Sequence, residues 1–321
     1  MNNTIILSTL LIITLVMNCT NDLNNFEETT NTDIPVLKCK ENDISVLKSI
    51  ASNAGISLKE LMVYDNAGLF YKDYKNAENG ILLNSNGDII ALRLWNTKFN
   101  NLKLLSSLTV SEHLDLMENR ISRIEGLENL HNLEFLSLIN NRISRIEGLE
   151  NLHKLKVLHL MENRISRIEG LENLHSLENL DLSINEISGI VNFKGLNKLK
   201  VLFLSNNKID VIDFNGLKNL LDITVRYNNI SEIKNIKTSS KLASLDIYGN
   251  PIYDIEGIEN LKRLKVVYIG GNIGNYYSDN NYFDNNRADF FIEKFRKMKM
   301  EVITAPDVFI ELDPKIFKSN L

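Results

Sequence analysis

Aliphatic residues recur along the middle of the chain in a fixed order. Each unit contains Leu-x-x-Leu-x-Leu, then an asparagine, then isoleucines and leucines at wider spacing. The 13-residue segment that begins Asn-Arg-Ile-Ser-Arg-Ile-Glu-Gly starts at Asn119, Asn141 and Asn163, a period of 22 residues. The alternation predicts a short strand in every unit. The fixed period predicts a solenoid, because one coil cannot bury its apolar face alone and stacked coils share a continuous core.

One asparagine per unit follows the predicted strand. Its amide group can satisfy backbone N–H and C=O groups of its own and adjacent turns that would otherwise be buried without partners. We therefore expect a structural ladder, with one step of 21 residues between Asn207 and Asn228. The expected ladder is Asn119, Asn141, Asn163, Asn185, Asn207, Asn228, Asn250 and Asn272.

The repeat resembles the 22-residue leucine-rich-repeat subclass of the protein phosphatase-1 regulatory subunit and the bacterial internalins. The resemblance covers about residues 88–272. It implies an α/β leucine-rich-repeat solenoid, a curved right-handed superhelix with a parallel sheet on the concave side and short helical or 3-10 turns on the convex side. It also implies protein binding as the activity. We expect about nine coils over residues 89–272.

Both ends of an open stack require caps. The N-terminal cap is predicted over 36–88, with a helix from Asp43 to Ala51 that Asp43 would cap and a hairpin turning at Asn86-Gly87. This region resembles the N-terminal cap of plant-type leucine-rich repeats. The C-terminal cap and tail are predicted over 273–321, with a helix at Ala288–Met300 and a strand at Val302–Ala305.

The side chains between and beside the core leucines of each strand should point outward, because successive strand residues alternate between faces. We call the surface made by these outward side chains the concave face. Aromatic and methionine side chains in its N-terminal half predict an exposed apolar strip, which marks an interface more often than scattered surface residues do. The expected ligand-binding residues are Trp95, Met117, Phe135, Ile139, Val157, His159, Met161, Phe203, Arg226, Tyr248 and Tyr268.

The three near-identical units differ where the concave face is expected. Their convex block is repeated letter for letter, whereas the outward positions of 133–140, 155–162 and 177–184 change. A recognition surface requires this division between a copied framework and a varied face. Self-association, cover by the N-terminal segment and drift at exposed positions are the alternatives.

The N-terminus has the pattern of an export signal. Residues 1–18 carry no charged side chain and include an apolar run at Ile5–Val16, which is too short to span a bilayer and suits a secretory signal peptide. The sequence ending at Cys19 resembles the lipobox of bacterial lipoproteins, which implies a lipid anchor on Cys19 in a membrane. The polar segment 19–35 would be a flexible tether. Simple secretion, an uncleaved start, or a Cys19–Cys39 disulfide are the alternatives.

Charge and motifs limit the possible chemistry. The net charge of -5 is spread along the chain, so no basic stripe predicts nucleic-acid binding. His131, His153 and His175 recur at the repeat period, but a straight row suits a tetrahedral metal poorly. Repeated Arg and Glu columns are interpreted as solvated ion-pair ladders. We find no phosphate loop, nucleophile elbow or metal-ligand set, and therefore predict no catalytic residue, no metal and no cofactor.

Two functions from different classes remain. The first is a non-catalytic, exported and lipid-anchored surface protein that binds a protein ligand through its concave face. The second is an intracellular regulatory or scaffold subunit that docks on an enzyme. A spacer or self-assembling surface layer is a third, structural interpretation.

Overall fold

A computed structural model describes residues 41–64, 70, 79–252, 255–269, 295 and 301–303. The predictions for the signal peptide, Cys19, the tether, Cys39, Asn272 and most of the C-terminal cap fall outside these residues. No helix in the described ranges combines the length and the apolar character that crossing a membrane requires.

Within the described residues the main sheet has twelve strands. Strands that are neighbours in this sheet also follow one another along the chain, apart from the convex strands that lie between some of them in sequence. All neighbouring pairs are parallel apart from the strands Gly80–Leu83 and Ile89–Arg93, which form the predicted hairpin. The described strands of the main sheet are β1 (Met62–Tyr64), β2 (Gly80–Leu83), β3 (Ile89–Arg93), β4 (His113–Asp115), β5 (Phe135–Ser137), β6 (Val157–His159), β7 (Asn179–Asp181), β9 (Val201–Phe203), β11 (Asp222–Thr224), β13 (Ser244–Asp246), β14 (Val266–Tyr268) and β15 (Glu301–Ile303).

The register brings equivalent leucines of successive coils side by side. Leu114 pairs with Leu136, and Leu136 pairs with Leu158, so the repeat period becomes a column of identical side chains. These three leucines are fully buried in one continuous core cluster that runs through the stack. The predicted leucine-rich-repeat solenoid with a parallel sheet is thereby confirmed.

We expected a short helical or 3-10 turn on the convex side of each coil, and only some of the described coils have one. Three coils carry a 3-10 helix there, at Leu102–Leu105, Ile236–Thr238 and Ile258–Asn260. Three consecutive coils carry strands β8 (Ser188–Asn192), β10 (Lys208–Asp213) and β12 (Glu232–Lys234), which pair in parallel as a second sheet, and the coil that contains β12 also carries the 3-10 helix at Ile236–Thr238. The β-branched residues of these segments favour strands once neighbouring coils offer an extended partner.

The N-terminal helix α1 spans Glu41–Ala54, and a 3-10 helix follows at Leu58–Glu60. The predicted N-cap at Asp43 is wrong, because the helix begins two residues earlier and Asp43 lies inside its first turn. Leu47, Ile50 and Ala51 are buried, in agreement with the amphipathic pattern, and α1 covers the first coil. At the other end β15 extends the main sheet beyond the last repeat.

Candidate functional site

The asparagine of each coil joins that coil to the preceding one. Asn141 donates through Nδ2 to the carbonyls of Leu116, Leu138 and Ile139 at 3.0–3.1 Å. Its Oδ1 accepts the N–H of Ile121 at 3.0 Å. The same arrangement recurs at each asparagine from Asn119 to Asn250, although Asn119 accepts from Thr97 Oγ1, which occupies the ladder position of the first coil.

This ladder fixes the backbone behind the concave face. The residue before the ladder asparagine has a positive φ in every described coil, and the next residues turn away from the sheet. The seven non-glycine residues at this position are Asn96, Glu118, Asn140, Glu162, Ile184, Asn206 and Tyr227. Sequence reasoning missed this position, because side chains as different as glutamate and tyrosine occupy it.

Aromatic rings form a packed column in the N-terminal half of the concave face. The rings of His113 and Phe135 stack with centroids 4.0 Å apart, and His159 meets Phe135 edge-on at 5.4 Å. His113 and His159 are each only 3% exposed. Burial lowers the pKa of His159 to about 3 and lowers that of His113 well below its ordinary value, where the Arg93 charge adds to the effect. Both imidazoles are therefore neutral at pH 7.

A residue from outside the repeats covers the first coil. The Phe70 carbonyl accepts a hydrogen bond from Arg93 Nη2 at 2.6 Å, and the Phe70 ring lies 4.4 Å from the Arg93 guanidinium carbon. The centre of the Trp95 ring lies 5.2 Å from the same guanidinium carbon. Arg93 is fully buried as a result. No periodic signal in the sequence identifies Phe70, because it belongs to the cap.

Four aspartates on the concave face are almost fully buried. Burial raises the pKa of Asp115 to about 6 and that of Asp181 to about 6, against the effect of their hydrogen bonds. Burial and the nearby Asp246 carboxyl raise the pKa of Asp222 to about 7, and burial also raises the pKa of Asp246. Asp222 was not among the expected outward residues, although it shares a face with Thr224 two positions later.

The predicted exposed apolar strip requires a correction. Phe135 and Val157 are 8% exposed, Met161 is 5% exposed and Ile139 is 2% exposed. Parallel strands lie less than 5 Å apart, so equivalent side chains of successive coils press against one another and lose their lateral surface to water. His159, Tyr248 and Tyr268 are buried as well.

The accessible part of the concave face is therefore smaller and lies at both ends of the predicted strip. Trp95 and Met117 are half-buried in the first two coils. Further along, Phe203 and Arg226 are half-buried, and the neighbouring Tyr227 is 51% exposed. Tyr227 occupies the positive-φ position and packs edge-on against Tyr248 at 5.6 Å.

Charged side chains outside the concave face form ion pairs between coils. Lys156 pairs with Glu134 at 2.7 Å, and Lys200 pairs with Glu178 at 2.9 Å, beside the strands. On the convex side Arg123 pairs with Glu147 of the next coil at 3.2 Å, with both side chains partly exposed. Such pairs contribute little each, about 0–1 kcal/mol, and suit the interpretation of solvated ladders.

These features define a repeat protein with a constant hydrogen-bonded framework and a sheet face whose residues change from coil to coil. The family described as Leucine Rich repeats (2 copies) matches residues 112–151 and 153–196. These residues carry leucine-rich repeats, and the fold of the chain is that of a leucine-rich-repeat solenoid. A search among curated proteins finds no match.

Solved structures agree with the fold. Internalin C2 from Listeria monocytogenes is 22% identical with a TM-score of 0.52, over 76% of this chain and 100% of that one. A leucine-rich-repeat protein from Leptospira interrogans is 24% identical with a TM-score of 0.53, over 69% of this chain and 60% of that one. TLR13, in a complex with ssRNA13, is 26% identical with a TM-score of 0.51, over 67% of this chain and 32% of that one.

Proposed function

We propose that this protein is not an enzyme and that it binds a protein ligand through its concave face. The observation that carries the proposal is a contrast within the repeat between a constant framework sequence and variable outward residues. The framework sequence is copied exactly as a block from Asn119, Asn141 and Asn163, whereas the outward residues of β5, β6 and β7 differ. A structural spacer needs the copied framework and has no need of a varied face.

The accessible residues of this face suit protein recognition. Aromatic residues, Met and Arg are enriched in interface cores, and Trp, Tyr and Arg dominate binding energy. Trp95, Met117, Phe203, Arg226 and Tyr227 combine these residue types with partial exposure. The outward residues of β5, β6 and β7 are themselves buried, so their variation would change the shape of the face between these accessible residues.

Nucleic acid is a weaker candidate, although TLR13 is seen with ssRNA13. Backbone phosphates require clustered exposed Lys and Arg side chains. The described concave face carries one partly exposed basic side chain, Arg226, beside several aspartates. A gel-shift experiment with single-stranded RNA serves as the negative control for ligand capture.

Affinity capture followed by matched variants tests the proposal. Phe203→Glu and Met117→Glu place a charge on accessible concave positions, and each should abolish capture of the ligand identified with the wild-type protein. Ile190→Glu places the same charge on the convex side, where Ile190 is 66% exposed, and should leave capture unchanged. Unchanged capture in Phe203→Glu, or loss of capture in Ile190→Glu alone, would contradict the proposal.

We further propose that the protein is exported and anchored to a bacterial membrane or cell surface through a lipid on Cys19, with residues 1–18 removed. The apolar run and the lipobox-like sequence support this proposal, and the internalin C2 fold is compatible with it. The rival is the intracellular regulatory subunit. Intact-mass analysis of the natural protein should give a chain that begins at Cys19 and carries acyl groups, whereas a chain that begins at Met1 would favour the rival.

A further inference from the structure

The guanidinium of Arg226 is held in one orientation on the concave face. Its Nε donates to Asp246 Oδ2 at 2.5 Å. Its central carbon lies 5.9 Å from the Tyr248 ring and 5.5 Å from the Tyr268 ring. An arginine anchored by a carboxylate and by aromatic rings loses little side-chain freedom when it binds a further group.

The remaining donors of Arg226 are available. Its side chain keeps 25% of its surface exposed, and its two Nη atoms donate to no other residue in the described part of the chain. Two half-buried hydroxyl groups lie nearby, because Ser205 Oγ accepts the Arg226 N–H at 3.2 Å and Thr224 lies two positions before Arg226 on the same face. Phe203 pairs in register with Thr224 and supplies an apolar neighbour.

Exposure decides the charge that this face presents to a ligand. Asp115, Asp181 and Asp222 are each 2% exposed, so the acids offer almost no surface. Arg93 is fully buried, and the concave histidines His113 and His159 are neutral and buried. Among the concave-face residues within the described ranges, Arg226 is thus the cation that a ligand can reach.

We propose that Arg226, with Ser205 and Thr224, binds the side-chain carboxylate of an Asp or Glu in an acidic segment of the protein ligand, and that Phe203 packs against an adjacent apolar residue of that segment. The two Nη atoms match the two oxygens of a carboxylate, which is the geometry of the strongest charge-assisted hydrogen bonds. This inference rests on the proposed function of the concave face and names the chemistry of its partner.

The test uses fluorescein-labelled peptides of alternating Glu and Phe, with matched peptides that carry Gln or Lys in place of Glu. Fluorescence polarisation measures their binding to the full chain. The Glu peptide should bind about tenfold more tightly than the Gln peptide, a difference that higher salt reduces. Equal binding of the two peptides, or preference for the Lys peptide, would overturn the proposal.

Variants show whether Arg226 is responsible for the preference for the Glu peptide. Removing Arg226 alone would leave the buried Asp246 charge unpaired, so the informative variant is Arg226→Gln combined with Asp246→Asn, which keeps a polar pair. This variant should bind the Glu and Gln peptides equally. Arg167→Gln, which removes an exposed convex arginine, should keep the tenfold preference. Survival of the preference in the double variant, at an unchanged melting temperature, would also overturn the proposal.

The outcome separates this inference from the proposed function. If the charge preference is absent and Phe203→Glu still abolishes ligand capture, the concave face binds the ligand without Arg226 as a carboxylate site. If Phe203→Glu has no effect on capture, the concave face is the wrong surface and both proposals fail.

Discussion

At the scale of single residues, two features of the concave side work against stability. Each coil places a residue in the left-handed region just before the ladder asparagine, at φ values between 50° and 60° for the seven side chains other than glycine. This conformation costs most for β-branched residues. In addition, Asp222 buries a carboxyl whose Oδ1 has no hydrogen-bond partner in the described structure. Both features are tolerated because the surrounding coils hold them in place.

Ile184 is the β-branched residue at the left-handed position, with φ of 54°. Asparagine adopts this conformation more readily, and it occupies the equivalent position at Asn140 and Asn206. Ile184→Asn should therefore raise the free energy of unfolding by about 1 kcal/mol, measured by denaturant titration. The same change at Ile190, in the extended strand β8, should give no gain. A loss of stability in Ile184→Asn would show that the side-chain contacts of Ile184 outweigh its backbone strain.

Asp222 should make stability fall with rising pH. Its folded pKa of about 7 lies above the ordinary value of 3.8. The stabilising contribution of its proton is thus complete at low pH and is lost as the pH rises through 7. The buried histidines His113 and His159 act in the opposite direction, because the unfolded chain gains protons on them as the pH falls through about 6.5. Comparison of the wild type with a variant at Asp222 cancels their contribution.

Asp222→Asn should remove the part of that decline that Asp222 causes, which lies between about pH 4 and 7. At pH 8 the variant should be more stable than the wild type by about 2 kcal/mol, because an amide carries no charge to bury. Thermal unfolding at a series of pH values measures this. Parallel profiles for the two proteins would mean that water or relaxation solvates the Asp222 carboxylate in the folded state.

At the scale of elements, the coil is held by its ladder and by close backbone contacts on the convex side. Each ladder asparagine donates a hydrogen bond to a carbonyl group of the preceding coil. The ladder therefore connects neighbouring coils as well as residues within one turn. The glycine at the convex corner has positive φ and lies against the backbone of the preceding coil at Gly148, Gly170 and Gly195.

Removing one rung of the ladder should destabilise the whole stack. Asn163 donates to three carbonyl groups, including that of Leu138, and accepts the N–H of Ile143. Asn163→Ala leaves the N–H of Ile143 without a partner and removes one of the donors to each of the three carbonyl groups, so it should lower the free energy of unfolding by about 3 kcal/mol. Asn129→Ala, on the exposed convex side, should have almost no effect. Equal unfolding midpoints for the two variants would contradict the structural role of the ladder.

The convex glycines offer a matched pair. Gly195 has φ of 91°, and a Cβ there would overlap the Glu172 carbonyl oxygen. Gly189 has φ of 75°, but a Cβ there meets open space. Gly189→Ala should cost about 1 kcal/mol from the backbone alone. Gly195→Ala should cost about 3 kcal/mol because the two coils must also separate. Similar losses in the denaturation of both variants would show that coil spacing adapts freely.

At the scale of the whole molecule, the sequence predicts the features that every repeat shares. It does not predict features that depend on contacts between particular coils or between a coil and the N-terminal cap. The 22-residue period was sufficient for the parallel sheet, the core columns and the position of the ladder, because each depends on the same contacts in every coil. The convex strands β8, β10 and β12 depend on pairing between neighbouring coils, which no single unit encodes.

Exposure on the concave face was overestimated for the same reason. Alternation along a strand correctly indicates which side chains point outward, but it says nothing about how tightly equivalent side chains pack across strands. Phe135 points outward and is nevertheless 8% exposed between His113 and His159. The contact of Phe70 with Arg93 comes from the cap, so the repeat pattern contains no trace of it. The sequence predicted Trp95, Met117, Phe203 and Arg226, which are partly accessible, whereas the burial of the residues between them and the exposure of Tyr227 depend on packing between coils.

Hydroxyl-radical footprinting of the protein, alone and with its captured ligand, tests the central claim most directly. The concave reporters are Trp95, Met117, Phe203 and Tyr227, and an Ile190→Met variant supplies a reporter on the convex side. Binding should reduce oxidation of the concave reporters, with Phe203 and Tyr227 protected together, and should leave Met at position 190 as reactive as before. Protection of the convex reporter with unchanged oxidation of the concave four would contradict the account.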